Sequence, residues 1–216
     1  MIPPQAITFL KGLEKHNDRD WFNARKQIFE TKLKEPMQAL VEEINAELLK
    51  FAPEHITEPK KALYRIYRDT RFSKDKTPYK THLGAIFPRR GLGKDSGASY
   101  YFHVSTKGVG IACGAYSPGP EELRKIRHFI AAYPKPFRAT PKLMGPVKGE
   151  TLQRPPKGFT PEHPSIDLIK MKQWYWWVEL DPSFVTSPKL KSEIVKRFKA
   201  VAPMVELLNR PLLARG

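Results

Sequence analysis

The chain has 216 residues, 40% of them hydrophobic, and a single cysteine; this sets the expectation of one globular domain over 1–216, with no disulfide framework and a reducing, cytoplasmic setting. Its formal charge of +16 favours anionic partners: phosphates, nucleic acid or acidic surfaces. No run approaches the roughly 20 apolar residues of a membrane helix, and the opening MIPPQAITFLKGLEKH lacks the features of a signal peptide, so no membrane partner is expected.

The first third reads as helical. Gln5–Lys15 is short and amphipathic, and Asn17 or Asp18 can cap a second helix from about Asp20 to Lys32. That helix is expected to bury Trp21, Phe22, Ile28, Phe29 and Leu33. Pro36 marks a boundary, after which Met37, Leu40, Val41, Ile44 and Leu48 recur at helical spacing towards Phe51.

The period then changes. Ala62–Tyr67 and His82–Phe87 read as strands, and Tyr100–Val104 and Val109–Cys113 flank a loop of hairpin size with Gly108 available for a positive φ. Glu121–Ala132 returns to helical spacing, with Leu123, Ile126 and Ile130 inward and a basic outer face. Pro134–Pro164 is too rich in proline for a long element. Trp174–Leu180 alternates as a half-buried strand. Ser187 and Pro188 open a last helix, with Leu190, Ile194, Phe198 and Val201 inward until Pro203 interrupts it. Helices at both ends around a mostly antiparallel sheet make the expected class α+β.

Charge is concentrated in the middle. Residues 60–94 carry eleven basic side chains against Asp69 and Asp75, a local charge of +9, whereas the 59 residues before them carry eight basic and ten acidic ones. Within this window Arg65–Lys80, RIYRDTRFSKDKTPYK, interleaves charge with Tyr67, Phe72, Pro78 and Tyr79, unlike a disordered basic tail. Asp69 between Arg68 and Arg71 stays ionised and orients their guanidinium forks, whose remaining donors suit a phosphate or carboxylate. Asp75, Lys76, Tyr79 and Lys80 add a second acid–base pair and a phenol. The ligand-binding candidates are therefore Arg65, Arg68, Asp69, Arg71, Asp75, Lys76, Tyr79 and Lys80, with Lys76, Tyr79 and Asp69 as candidates for proton transfer. The same residue pairs suit an ion-pair network that staples the sheet to a loop.

The run Arg65-x-x-Arg68-Asp69-x-Arg71-Phe72-x-x-Asp75-Lys76-x-x-Tyr79 resembles the signature of the mainly bacterial family called domain of unknown function 2461. Arg19-Asp20-Trp21-Phe22, the Tyr100–Gly114 hairpin, Arg127 and Pro156-Lys157-Gly158-Phe159…His163-Pro164 extend the resemblance over nearly the whole chain. It implies a full-length single domain and carries no activity, cofactor or catalytic residue with it.

Other constellations are bland. The six histidines are scattered without HExxH or similar spacing, so neither metal nor cofactor is expected, and His82 and His103 are the two placed for a site near the motif. Gly91-Leu92-Gly93-Lys94 lacks P-loop spacing and reads as an exposed loop. Pro155–Phe159 reads as a surface turn, with a lid over the motif as the other option. Asp75 and Lys76 are adjacent, which argues against the acid-x-lysine strand of metal-dependent nucleases. Cys113 reads as a small buried hydrophobe. The functional expectation is a basic pocket for a phosphorylated or carboxylated small ligand. The alternative is non-catalytic nucleic-acid binding, in which Tyr100, Tyr101 and Phe102 stack on bases. Neither a reaction nor an oligomeric state is specified.

Overall fold

The computed structural model describes residues 1–94 and 96–213. Helix α1 (Pro4–Lys15) starts on a proline, which suits a first-turn position, and buries Ala6, Phe9, Leu10 and Leu13 along one stripe. Asp18 caps α2 (Arg19–Asn23) by accepting from the Trp21 backbone N–H at 2.8 Å.

Next come α3 (Lys26–Ile28), a π-helical turn (Phe29–Lys34) and α4 (Glu35–Leu48), joined without a break. The expected boundary at Pro36 is thus absent. The Glu35 N–H reaches the Glu30 carbonyl five residues back. This widened winding lets Pro36, which has no N–H to offer, enter the helix. Phe29 and Leu33 take the inner stripe, leaving Ile28, expected inside, 42% exposed.

Beyond α5 (Pro59–Ala62), the sheet contains β1 (His82–Phe87), β2 (Ser99–Ser105), β3 (Gly108–Ala115) and β4 (Trp174–Leu180). All neighbours are antiparallel, in the order β1-β2-β3-β4. With α6 (Pro120–Ala132), α7 (Ile166–Ile169) and α8 (Leu190–Leu213) the class is α+β. The expected strand Ala62–Tyr67 is not regular. Leu63 bridges Ala85 and Tyr67 bridges Tyr79, so the segment leaves the sheet edge part-way to pair with its own returning chain.

Period-two alternation divides the sheet into two faces. Leu83, Ala85 and Phe87, then Tyr100, Phe102 and Val104, and their counterparts on β3 and β4 are buried on one side. Phe198 of α8 closes that side, with ring centroids 4.9 Å from Tyr100 and 6.0 Å from Phe87. Cys113 lies in this core, 1% exposed, and burial pushes its thiol pKa up. Tyr100 and Phe102, expected as exposed stacking rings, are core residues because they share the phase of Val104; only Tyr101 takes the opposite face.

Helix α8 runs through Pro203 instead of stopping. A proline inside a helix costs about 3 kcal/mol, but Met204, Val205 and Leu208 continue the buried stripe beyond it, and their burial at about 1.5–3 kcal/mol each offsets the lost bond. Asn209, fully buried near the end of α8, exchanges two amide hydrogen bonds with the backbone of Ala98, at 2.8 and 2.9 Å. The chain entering β2 is thereby held to the last helix. Among the described residues no helix is long and apolar enough to cross a membrane.

Candidate functional site

Residues 65–80 form a hairpin-like excursion. Arg68 N–H donates to the Pro78 carbonyl and Lys80 N–H to the Ile66 carbonyl, both at 2.8 Å. Its base is packed: Tyr79 is 3% exposed and stacks on Phe22, centroids 4.1 Å apart at 14°. The Asn17 side chain both donates to the Tyr79 carbonyl and accepts from the Tyr79 N–H, each at 3.0 Å. Asn17, read as an alternative cap, instead locks the excursion to the first helices.

Three cations of the excursion are engaged within it. The Arg68 guanidinium donates to the Asp75 carboxylate and the Thr77 hydroxyl. Arg71 forks onto Asp69 at 3.0 and 2.7 Å, and Lys76 donates to the Thr70 carbonyl at 2.9 Å. Hydrogen bonds from Arg71 hold the Asp69 carboxyl down at about 2, and those from Thr77 and Arg68 do the same for Asp75. Phe72 stands at the tip, 96% exposed. Arg65 is exposed and makes no hydrogen bond or ion pair among the described residues.

The larger concavity lies elsewhere, on the open face of the sheet. It encloses about 600 Å³. Its floor carries His82 and Gly84 from β1, Tyr101 and His103 from β2, Ala112 from β3 and Tyr175 and Trp177 from β4. Tyr101, Ala112 and Trp177 are direct cross-strand neighbours. Lys80, Lys94 and Lys148 reach in from the surrounding segments, and no carboxylate stands among the described lining residues. Lys80 and Lys94 both lie over the Tyr64 ring, with Nζ 5.2 and 4.2 Å from its centroid. Lys148 is positioned from the opposite edge by backbone pairing with Tyr175, at 2.7 and 3.0 Å.

The electrostatics follow from this enclosure. Burial, then the cations Arg65 and Lys94, lowers the Lys80 pKa. Burial also lowers His82, with help from Lys80, and depresses His103 to about 4, with His82 adding to the effect. Both imidazoles are therefore neutral near pH 7 and available as hydrogen-bonding groups; Tyr101 Oη and His103 Nδ1 are 3.3 Å apart. Burial raises the Tyr101 phenol.

Of the eight motif residues, only Lys80 lines this cleft. Arg68 and Tyr79 border a separate concavity of about 310 Å³ with Arg19, Asn23 and Tyr67. Arg65, Asp69, Arg71, Asp75 and Lys76 line neither. Tyr64, Lys94, Lys148, Tyr175 and Trp177 are not among the site candidates read from the sequence, although the alternation of 174–180 does assign Tyr175 and Trp177 to one face. The loop holding Lys94 is exposed at Gly91, Gly93 and Lys94, as read from the sequence, and Ala98 beyond it is tied to Asn209. Phe159 packs on His128 of α6, centroids 5.1 Å apart, so the turn before it does not cover the motif. Among the described residues no cluster of three or more histidine, cysteine or acidic side chains could hold a metal ion.

The model of a family described as conserved hypothetical protein (DUF2461) matches residues 5–207. No curated protein and no solved structure matches the chain.

Proposed function

The chain belongs to the DUF2461 family, and for this member we propose that the cleft on the open sheet face binds a phosphorylated or carboxylated small ligand. The observation that carries the reading is the convergence of Lys80, Lys94 and Lys148 on one concavity without a carboxylate among its described lining residues. None of the three forms an ion pair among the described residues. A volume of about 600 Å³ lies within the ordinary range of small-molecule sites. In this reading the hairpin is scaffolding for the cleft. Its internal ion pairs fix the return path that places Lys80 beside Tyr64, and Arg65 adds positive potential next to Lys80. Arg68, Asp69, Arg71, Asp75, Lys76 and Tyr79 then act through shape rather than through contact with the ligand.

Calorimetric titration with inorganic phosphate tests this. Removing Lys80 and Lys94 together (Lys80→Ala with Lys94→Ala) is expected to weaken binding about 10- to 100-fold, the range for charge-assisted hydrogen bonds. Arg71→Ala is expected to leave it within about twofold, because an exposed ion pair contributes little. The reverse pattern overturns the reading, as does the absence of saturable binding. The salt slope separates the other class of partner: a compact pocket gives a shallow dependence, whereas neutralising many phosphates of single-stranded DNA gives a steep one.

A further inference from the structure

The floor of the cleft has a shape that lysines alone do not explain. Three aromatic side chains lie across the strands instead of standing up from them, and two glycines make this geometry available. A Cβ on Gly84 would sit 2.6 Å from the Tyr101 hydroxyl oxygen, and one on Gly110 would lie 2.6 Å from the Trp177 ring and collide with the His103 ring. Each ring thus occupies the space a side chain on the neighbouring strand would fill. The result is a row of tilted aromatic rings, in which His103 is 5.8 Å from Tyr101 at 55° and 5.7 Å from Trp177 at 34°. These rings remain partly exposed, towards the cleft.

Two of the three cations, Lys80 and Lys94, stand at one margin of this platform. Tyr64 meets Tyr101 edge-on at 6.1 Å, and Lys94 Nζ lies 4.2 Å from the Tyr64 centroid, so the platform and the ammonium group are separated by at most about 10 Å. Two kinds of recognition are therefore adjacent. An exposed aromatic face accepts a planar ring of any identity by stacking, and a pair of lysines accepts an anion.

Resting on the anion-binding reading above, we infer that the ligand class is a nucleoside phosphate. Its heteroaromatic base lies on the Tyr101–His103–Trp177 platform, and its phosphate, one sugar away, meets Lys80 and Lys94. A simple phosphate or sugar phosphate satisfies only the second half of the site and leaves the platform in contact with water.

The test compares 5′-AMP, ribose 5-phosphate and inorganic phosphate by calorimetry on the full chain. The expected result is that 5′-AMP binds at least tenfold more tightly than ribose 5-phosphate. Trp177→Ala should abolish that advantage while leaving ribose 5-phosphate unchanged, and Lys94→Ala should weaken both. Gly110→Ala provides a second route to the same readout, since it displaces two rings without removing a polar group. Circular dichroism and the denaturation midpoint establish that each variant is folded. Equal affinities for 5′-AMP and ribose 5-phosphate, both dependent on Lys80 and Lys94, overturn the nucleoside inference and leave the anion pocket standing. Failure of all three to bind overturns both. A single-stranded oligonucleotide that binds far more tightly than 5′-AMP, with a steep salt slope, overturns the small-ligand assignment in favour of a nucleic-acid surface.

Discussion

In the hairpin, Arg68 meets Asp75 and Arg71 meets Asp69 within a dozen residues, whereas in the cleft Lys80 and Lys94 rest over an aromatic ring. The two regions carry charge of the same sign to different ends. Opposite charges close together in sequence find one another locally, and the pairing engages the donors of Arg68 and Arg71 that a ligand would need. Lysines brought together from positions 80, 94 and 148 have no acid alongside them in the described lining, so their charge remains directed into the cleft. Density of charge along the chain is thus a poor guide to where that charge is available.

Each region is also tied down by an asparagine that donates to and accepts from one backbone residue. Asn17 holds Tyr79 at the base of the hairpin, and Asn209 holds Ala98 beside the loop that carries Lys94. The parallel makes the two regions separately adjustable.

The largest expected effect lies under the hairpin. Phe22 is 1% exposed and packs on Tyr79, so Phe22→Ala should lower unfolding free energy by about 3–5 kcal/mol, measured by urea denaturation. A loss below about 1 kcal/mol would show that the hairpin is not anchored through this stack.

A pH series separates the exposed carboxylates of the hairpin from the buried imidazoles of the core and cleft without mutation. His55 is buried in the core with its Nδ1 2.9 Å from the Phe87 carbonyl; burial holds it at about 4, against an ordinary value of 6.5, and His103 behaves likewise. Between these values the unfolded chain binds more protons than the folded one, so stability should fall as pH drops from 6.5 to 4 and then level off. The buried His55 alone accounts for about 3 kcal/mol of this fall. Asp69 and Asp75, lowered from 3.8 to about 2, act in a later window. Both carboxylates are exposed, so the stability lost as pH falls from 3.8 towards 2 should be small. A denaturation midpoint that is flat from pH 6.5 to 4 contradicts the assignment for the histidines.

Asn209→Ala leaves a buried N–H and carbonyl of Ala98 unpaired and should cost about 2 kcal/mol, while also weakening phosphate binding through the Lys94 loop. Asn17→Ala, at a part-buried site, should cost about 1 kcal/mol and act on binding only through Lys80. Comparing the two variants by calorimetry sharpens the division of labour; equal losses of binding would blur it. The smallest effect is expected for Arg71→Ala, whose ion pair with Asp69 is exposed. The denaturation midpoint above pH 5 should not move measurably.

Much of the fold was legible from local pattern. His82–Phe87 and Trp174–Leu180 alternate with period two and are strands over those same residues. Gly108 supplies the positive φ of 134° beside the hairpin turn. Pro36 and Pro203 misled for one reason: a missing N–H disfavours a helix locally, but buried side chains on both sides of the proline carry the helix through. The candidate site was legible only in part. The motif was visible as a cluster, and His82 and His103 were placed correctly on strands. Lys148, in a proline-rich connection, had no local signal at all; a single bridge to Tyr175 makes it part of the cleft.

By itself the sequence determined the family, the α+β class, the strands at 82–87 and 174–180 and the run in which acids and bases alternate, because each depends on residues a few positions apart. Only the tertiary structure decided which sheet face is covered by α8 and which stays open, and that Tyr64, Lys94, Lys148 and Trp177 share one concavity. Those relations join residues far apart in the chain. They are set by core packing and by glycines that leave room for rings from neighbouring strands, and no window of sequence contains both partners.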